Sequence, residues 1–402
     1  MRIRFNSPLA SLHHNDPTTP CIIKERHLSV SLATAPPSAK PRFYRPELDV
    51  LRFLAFLLVF FAHIGPSGNR FAAALAATGE SGLCLFFLLS AYLITELLAR
   101  EADQTHHIDL KHFYIRRILR IWPLYFAALL LARLIDIHSA SPQMDGHRLL
   151  AYVLLAGNWN AFRYGLPASF VGVLWSISVE EQFYIVWPLL QKHLHRRALL
   201  LAALATIPLS YITISILCLH FHASDGQLWL NTFVQAQFFG LGCLIALLVQ
   251  GRSPNWSSVT RCFMFACGLG AFFAARHIFP ELLHYAIAWR SCAQYALMAL
   301  GVVLIFFSTL GYSALRNARV LISLGKISYG LYVFHILALR IMLRPVTWLQ
   351  AHIVAPIWFF GCLQVISALA LTILAAHLSY RYFESFFLRL KEHYAAVRSR
   401  PV

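Results

Sequence analysis

Charge is what this 402-residue chain has least of. Asp, Glu, Lys and Arg together make up 13% of it, against about 25% in a typical soluble domain. That scarcity excludes an ordinary soluble enzyme. The 58% apolar content excludes a disordered chain, which needs low hydrophobicity. Acidic residues are the scarcer sign, 17 against 34 basic ones, giving a formal net charge of +17. Such an excess first suggests nucleic acid. Here the basic residues stand in short clusters between apolar runs, as in the loops of a membrane protein, so no nucleic-acid partner is expected. There is no Cys-x-x-Cys pair. Of eight cysteines, seven (Cys84, Cys218, Cys243, Cys262, Cys267, Cys292, Cys362) lie in or beside apolar runs. Cys262 and Cys267 are too far apart for a zinc pair, so no metal is expected and the cysteines read as buried helix residues. Residues 1–46 are polar and Pro-rich, without the apolar segment of a cleavable leader. No repeat of fixed period is present, and no stretch after the last apolar run is long enough for a soluble domain.

What fills the chain is one apolar run after another. A bilayer crossing takes about 20 apolar residues, and ten segments qualify: 48–66, 81–99, 113–135, 171–191, 198–220, 229–250, 261–279, 292–311, 325–343 and 357–380. Region 147–160 reads as a weaker, interfacial or re-entrant helix. The expected fold is all-α, an integral membrane bundle of about ten transmembrane helices occupying residues 44–388. A disordered cytoplasmic tail is expected at 1–43 and a basic cytoplasmic tail at 389–402. With this segmentation 25 Lys/Arg fall on one side and 7 on the other, with Arg52 and Arg133 inside helices. The split predicts both termini in the cytoplasm.

An ionisable side chain at the centre of a bilayer costs at least about 2.5–3.5 kcal/mol and faces a bundle interior or a wet cavity. Such residues are the best function signal here. In the first segment Arg52 and His63 are eleven residues apart, close to three helical turns, so they share a face about 16 Å apart, with Asp49 on the same stripe. Arg116, Arg117 and Arg120 open the third segment at i, i+3 and i, i+4 spacing. Either they anchor the cytoplasmic interface or they form a phosphate clamp, for which guanidinium forks are suited. Glu180 and Glu181 are adjacent carboxylates inside the fourth segment, and at least one must point into the bundle. Small residues in the second segment suit close helix packing, with Ser90 a candidate cavity-lining hydroxyl. His335, in the ninth, reads as a core histidine.

Five stretches occur in a fixed order: Tyr44-Arg45-Pro46-Glu47-Leu48-Asp49 through to His63, Phe86-Phe87-Leu88-Leu89-Ser90, Phe113 to Tyr125, Leu174-Trp175-Ser176-Ile177-Ser178-Val179-Glu180-Glu181-Gln182-Phe183-Tyr184, and Ile327-Ser328-Tyr329-Gly330-Leu331-Tyr332. Together they closely resemble the membrane-bound acyltransferase-3 family, multi-pass O-acyltransferases of bacterial surface glycans, over roughly residues 44–385. The family's Arg-(ten residues)-His pattern falls on Arg52 and His63. Val50, Cys84 and Ala91-Tyr92 depart from the residues most common there. The soluble esterase-like domain fused to some relatives is absent from the chain, so a stand-alone membrane unit in a bacterial inner membrane is expected.

The resemblance implies acyl transfer, most commonly acetyl, from acyl-CoA to a hydroxyl of a carbohydrate or lipid-linked glycan, with no bound cofactor. On that reading His63 is the general base, and Glu181 or Glu180 orients it or holds an acceptor hydroxyl. Ser90, Tyr184 or an arginine stabilises the oxyanion. Arg116, Arg117 and Arg120 hold the donor's phosphates, and Arg52 holds its pantetheine or thioester region. Asp49, Ser90 and Tyr184 line the cavity. A proton-coupled transporter would also use intramembrane His, Arg and Glu, but it often carries repeated halves, and none is seen. A non-catalytic scaffold would need neither His63 nor the arginines.

Overall fold

A computed structural model describes residues 43–64, 76, 78–139, 141–278 and 285–397. Among these there is no strand. The helices are α1 (Pro46–Ala62), α2 (Ser81–Thr105), α3 (Leu110–Ile137), α4 (Gly146–Val153), α5 (Gly157–Tyr164), α6 (Trp175–His193), α7 (Arg196–Phe221), α8 (Asp225–Leu230), α9 (Thr232–Val249), α10 (Ser258–His277), α11 (Ala288–Thr309), α12 (Arg319–Lys326), α13 (Ser328–His352), α14 (Ile357–Ser379) and α15 (Ser385–His393). Eight helical stretches are long and apolar enough to cross a membrane. The 17-residue α1, about 25 Å long, and the 19-residue α6 complete the ten apolar segments. The chain is a multi-pass all-α membrane protein.

Helix starts follow from local chemistry. The Asp109 carboxylate accepts the His112 N–H at 3.0 Å and caps α3, and that bond holds its carboxyl below the usual range. Ser257 caps α10 through the Thr260 N–H at 3.1 Å. The single weak helix expected over 147–160 is two short ones, α4 and α5. The break falls at Leu155, whose φ of 56° is a left-handed conformation that ends a helix. A π-turn, Tyr380–Glu384, carries α14 into α15, and α15 packs on α3. Helix α15 thus crosses the expected boundary at residue 388 without interruption.

The α2 helix is the most enclosed of the eight, with 72% of its apolar window buried. It packs against α1 and α9. Small residues set these approaches: a Cβ on Gly82 would stand 2.9 Å from the Leu58 Cβ, and one on Gly242 2.8 Å from the Ala91 Cβ. Of the described cysteines, Cys84, Cys218 and Cys243 are buried as expected, whereas Cys262 and Cys362 lie on the outer surface. Both sit on helix faces turned away from the bundle.

An ionic knot around one buried carboxylate ties α1 to the loop after α11. Glu47, 0% exposed, accepts the Gly311 N–H at 3.1 Å and pairs with Arg45 and Arg316, each at 3.5 Å. Removing Glu47 leaves the Gly311 N–H without its acceptor and takes the carboxylate from Arg45, a loss of about 1–3 kcal/mol. Glu47→Ala is therefore expected to lower the melting midpoint in detergent markedly. An unchanged midpoint would show that the knot contributes little to stability.

Candidate active site

Asp49, one turn before Arg52 on α1, accepts the Tyr44 hydroxyl at 2.8 Å and pairs with Arg52 at 3.1 Å. Both α1 residues line a cavity of about 190 Å³. From α2, Ser90 enters it, and from α6, Glu180 and Tyr184. Glu180 accepts the Ser90 hydroxyl at 3.1 Å and the Tyr184 hydroxyl at 3.0 Å. Consecutive helix positions lie about 100° apart, so Glu181 cannot join it. Glu181 turns to α3, where the Trp122 indole N–H donates to it at 3.3 Å.

The three arginines of α3 line the same cavity but are held differently. Arg116 pairs with Glu101 at 2.7 Å and donates to the Tyr394 carbonyl at 2.7 Å. Arg117 lies with its guanidinium 5.2 Å from the Tyr184 ring centre and 5.5 Å from that of Phe113. Lys391, Ala395 and Val397, in and beyond α15, also line the cavity, so the C-terminal segment borders the arginine end. The cavity thus brings together eight of the ten residues singled out from sequence: Asp49, Arg52, Ser90, Arg116, Arg117, Arg120, Glu180 and Tyr184. His63 and Glu181 are not among its lining residues.

The cavity's far end stops short of His63. Leu83 and Phe86 line it, and the neighbouring Gly82 packs on Ala55 and Leu58 of α1. That level is within about two turns of His63. The imidazole, at the exposed C-terminal end of α1, has its Nδ1 2.8 Å from the Val59 carbonyl and 3.4 Å from His335 Nε2. Neither glutamate is its partner, which leaves, of the two roles expected for the pair, the holding of an acceptor hydroxyl. Gly79 packs beside Ala62, whereas Ser90, bonded to Glu180, is eleven residues further along the same stretch of chain. The offset is about 16 Å along the axis.

His335 is fully buried as expected, but it is also the ring that touches His63, with centres 5.0 Å apart. Tyr332 stands between this pair and the cavity. It lines the cavity beside Phe86, at 6.3 Å between ring centres, and lies 5.6 Å from His335. Its hydroxyl donates to the Val173 carbonyl at 2.8 Å and lies 2.7 Å from the Ser176 hydroxyl. Sequence reasoning did not single out Glu101, Ser176 or Tyr332. Glu101, a carboxylate late in an apolar helix, carried a usable signal.

No group of three or more metal-ligating side chains occurs among the described residues. A family model described as an acyltransferase domain matches residues 45–377. A protein of Staphylococcus aureus (strain MSSA476) with a provisional O-acetyltransferase name is 26% identical over 384 residues, covering 89% of this chain and 59% of that protein. The peptidoglycan O-acetyltransferase of Listeria monocytogenes is 30% identical over 157 residues, 37% of this chain and 24% of that protein. A Bacillus subtilis protein with a provisional peptidoglycan O-acetyltransferase name is 26% identical over 370 residues, 85% of this chain and 54% of that one. The chain therefore spans little more than half the length of its long matches. No solved structure matches.

Proposed function

This chain belongs to the acyltransferase-3 family, and from that premise we propose that it transfers an acetyl group from acetyl-CoA to a hydroxyl of a cell-surface carbohydrate. The observation that carries the reading is the cavity lined from α1, α2, α3 and α6. Five guanidiniums, Arg45, Arg52, Arg116, Arg117 and Arg120, line it, and it extends along α2 to Leu83, on the His63 side. An elongated donor with phosphates at one end and a thioester at the other suits that polarity. Arg117 and Arg120 bind the phosphates, since guanidinium forks match phosphate oxygens. Arg52 and Glu180 flank the donor's amide-bearing arm, and the acyl end reaches Leu83 and Phe86.

His63 Nε2 takes the proton of the acceptor hydroxyl, whose oxygen attacks the thioester carbonyl. A general base works at about 2.6–3.2 Å from that hydroxyl, and attacking and attacked atoms start about 3–3.5 Å apart. The carbonyl carbon then lies roughly 6 Å from the imidazole, close to one helical turn of about 5.4 Å. The level of Leu83 is up to two turns, about 11 Å, from His63, so on this reading the acyl end advances past Leu83 and Phe86 until one acceptor oxygen spans the remaining distance. Collapse of the tetrahedral intermediate expels the CoA thiolate, which takes up the proton. The 25-to-7 distribution of Lys/Arg supports both termini in the cytoplasm. The arginine end then faces the cytoplasmic donor pool and His63 faces the opposite leaflet, in a bacterial inner membrane.

Mass spectrometry of surface glycans from cells with and without the protein tests this reading. The expected result is a mass difference of one acetyl group on a glycan. A changed amount of exported glycan with unchanged acetylation would instead support a transporter.

A further inference from the structure

We propose that His335 is the positioning residue for His63, fixing the imidazole in the tautomer whose Nε2 carries a bare lone pair. The inference rests on the reading of His63 as the base. A carbonyl oxygen only accepts, and each hydrogen-bonding atom can be assigned from its partner. His335 Nδ1 lies 2.6 Å from the Tyr332 carbonyl and so carries a hydrogen, which leaves Nε2 of the neutral ring as an acceptor. That acceptor faces His63 Nδ1 at 3.4 Å. His63 Nδ1 lies 2.8 Å from the Val59 carbonyl, so it too carries a hydrogen. One N–H points toward two acceptors, and His63 Nε2 is left bare.

The Val59 contact alone would be unremarkable. His138 and His352 make the same bond to the carbonyl four residues back, at 3.0 and 2.7 Å, each on an exposed helix end. His63 differs in having a second acceptor, supplied by α13 from 272 residues away. That acceptor is held rigidly. His335 is 0% exposed, and Phe56 meets its ring edge-on at 6.1 Å between centres. The arrangement parallels the hydrogen-bonded partner that sets the tautomer of a working histidine elsewhere. When His63 takes the acceptor's proton, its Nδ1–H becomes the donor of a charge-assisted bond, and His335 Nε2 is in place to receive it.

The test uses membrane vesicles containing the full chain and the host's own glycan, with acetyl-CoA as donor and release of the CoA thiol as readout. His335→Leu is expected to slow turnover about 10–100-fold while the KM for acetyl-CoA stays unchanged. His335→Gln offers a side-chain carbonyl to the same N–H and is expected to recover most of that loss. The double variant His63→Ala/His335→Leu should be no slower than His63→Ala, because residues that act as a unit are not additive. If His335→Leu does not accumulate, His335→Met fills the space without an oxygen or nitrogen acceptor and is read in its place. Wild-type turnover in the apolar variant, no recovery with Gln, or additive losses in the double variant would overturn the positioning role. Wild-type turnover in His63→Ala would instead remove the base itself.

Discussion

Alanine at position 63 is expected to cut acetyl transfer by about 10²–10⁴-fold, the usual contribution of a positioned general base. Little structural loss should accompany it. His63 sits at the exposed end of α1, and its described hydrogen-bond contacts are the Val59 carbonyl and His335. Its removal buries no unpaired charge, so the variant should accumulate and melt like wild type. Turnover is read by CoA thiol release and confirmed by the mass of the glycan. Normal acetylation in a well-folded His63→Ala protein would end the general-base role. A loss of activity together with a large fall in melting midpoint would leave a structural role as the better account.

The second large effect belongs to the arginine end. Changing Arg117 and Arg120 together to Gln is expected to raise the KM for acetyl-CoA about 100-fold or more. Hydrogen bonds to charged groups contribute about 1.5–3 kcal/mol each, and about 1.4 kcal/mol is a factor of ten. Turnover at saturating donor should change much less, because neither residue lies near His63. Arg116 is left out of the test deliberately. Its guanidinium is committed to Glu101 and to the Tyr394 carbonyl, so replacing it also releases the segment that borders the cavity. Arg117→Lys with Arg120→Lys keeps the charge and loses the fork, and should fall between the extremes. An unchanged KM in the Gln pair would remove the phosphate-binding role.

Much of the fold was legible because the bilayer imposes it. Ten apolar segments of crossing length leave few alternatives, and the helices start within four residues of them, although α13 runs nine residues past its expected end. The spacing of Asp49 and Arg52 put both on the cavity side of α1, since helical geometry is local, whereas His63 caps the end of the helix and does not line the cavity. Convergence of Arg52, Ser90, Glu180 and the α3 arginines was legible for a different reason. Side chains that bilayer lipid disfavours must share whatever interior exists. The partner of His63 was not legible. It depends on α13 returning beside α1, and helix order alone does not give the axial level at which Glu180 sits. The Leu155 break could not be read either, because nothing in Leu154-Leu155-Ala156 marks a left-handed residue. The C-terminal segment reads as a basic tail by composition, yet Arg116 binds the Tyr394 carbonyl, and a backbone acceptor leaves no signature in sequence.

The central claim is that one cavity receives the donor with its phosphates at the α3 arginines and its acyl end toward His63. A structure determined by electron cryo-microscopy with a non-transferable acetyl-CoA analogue tests it most directly. The account predicts phosphate density against Arg117 and Arg120, the pantetheine arm passing Arg52 and Glu180, and the acyl end against Phe86 and Tyr332. A donor bound outside this cavity, or lying in it with its acyl end at the arginines, would contradict it.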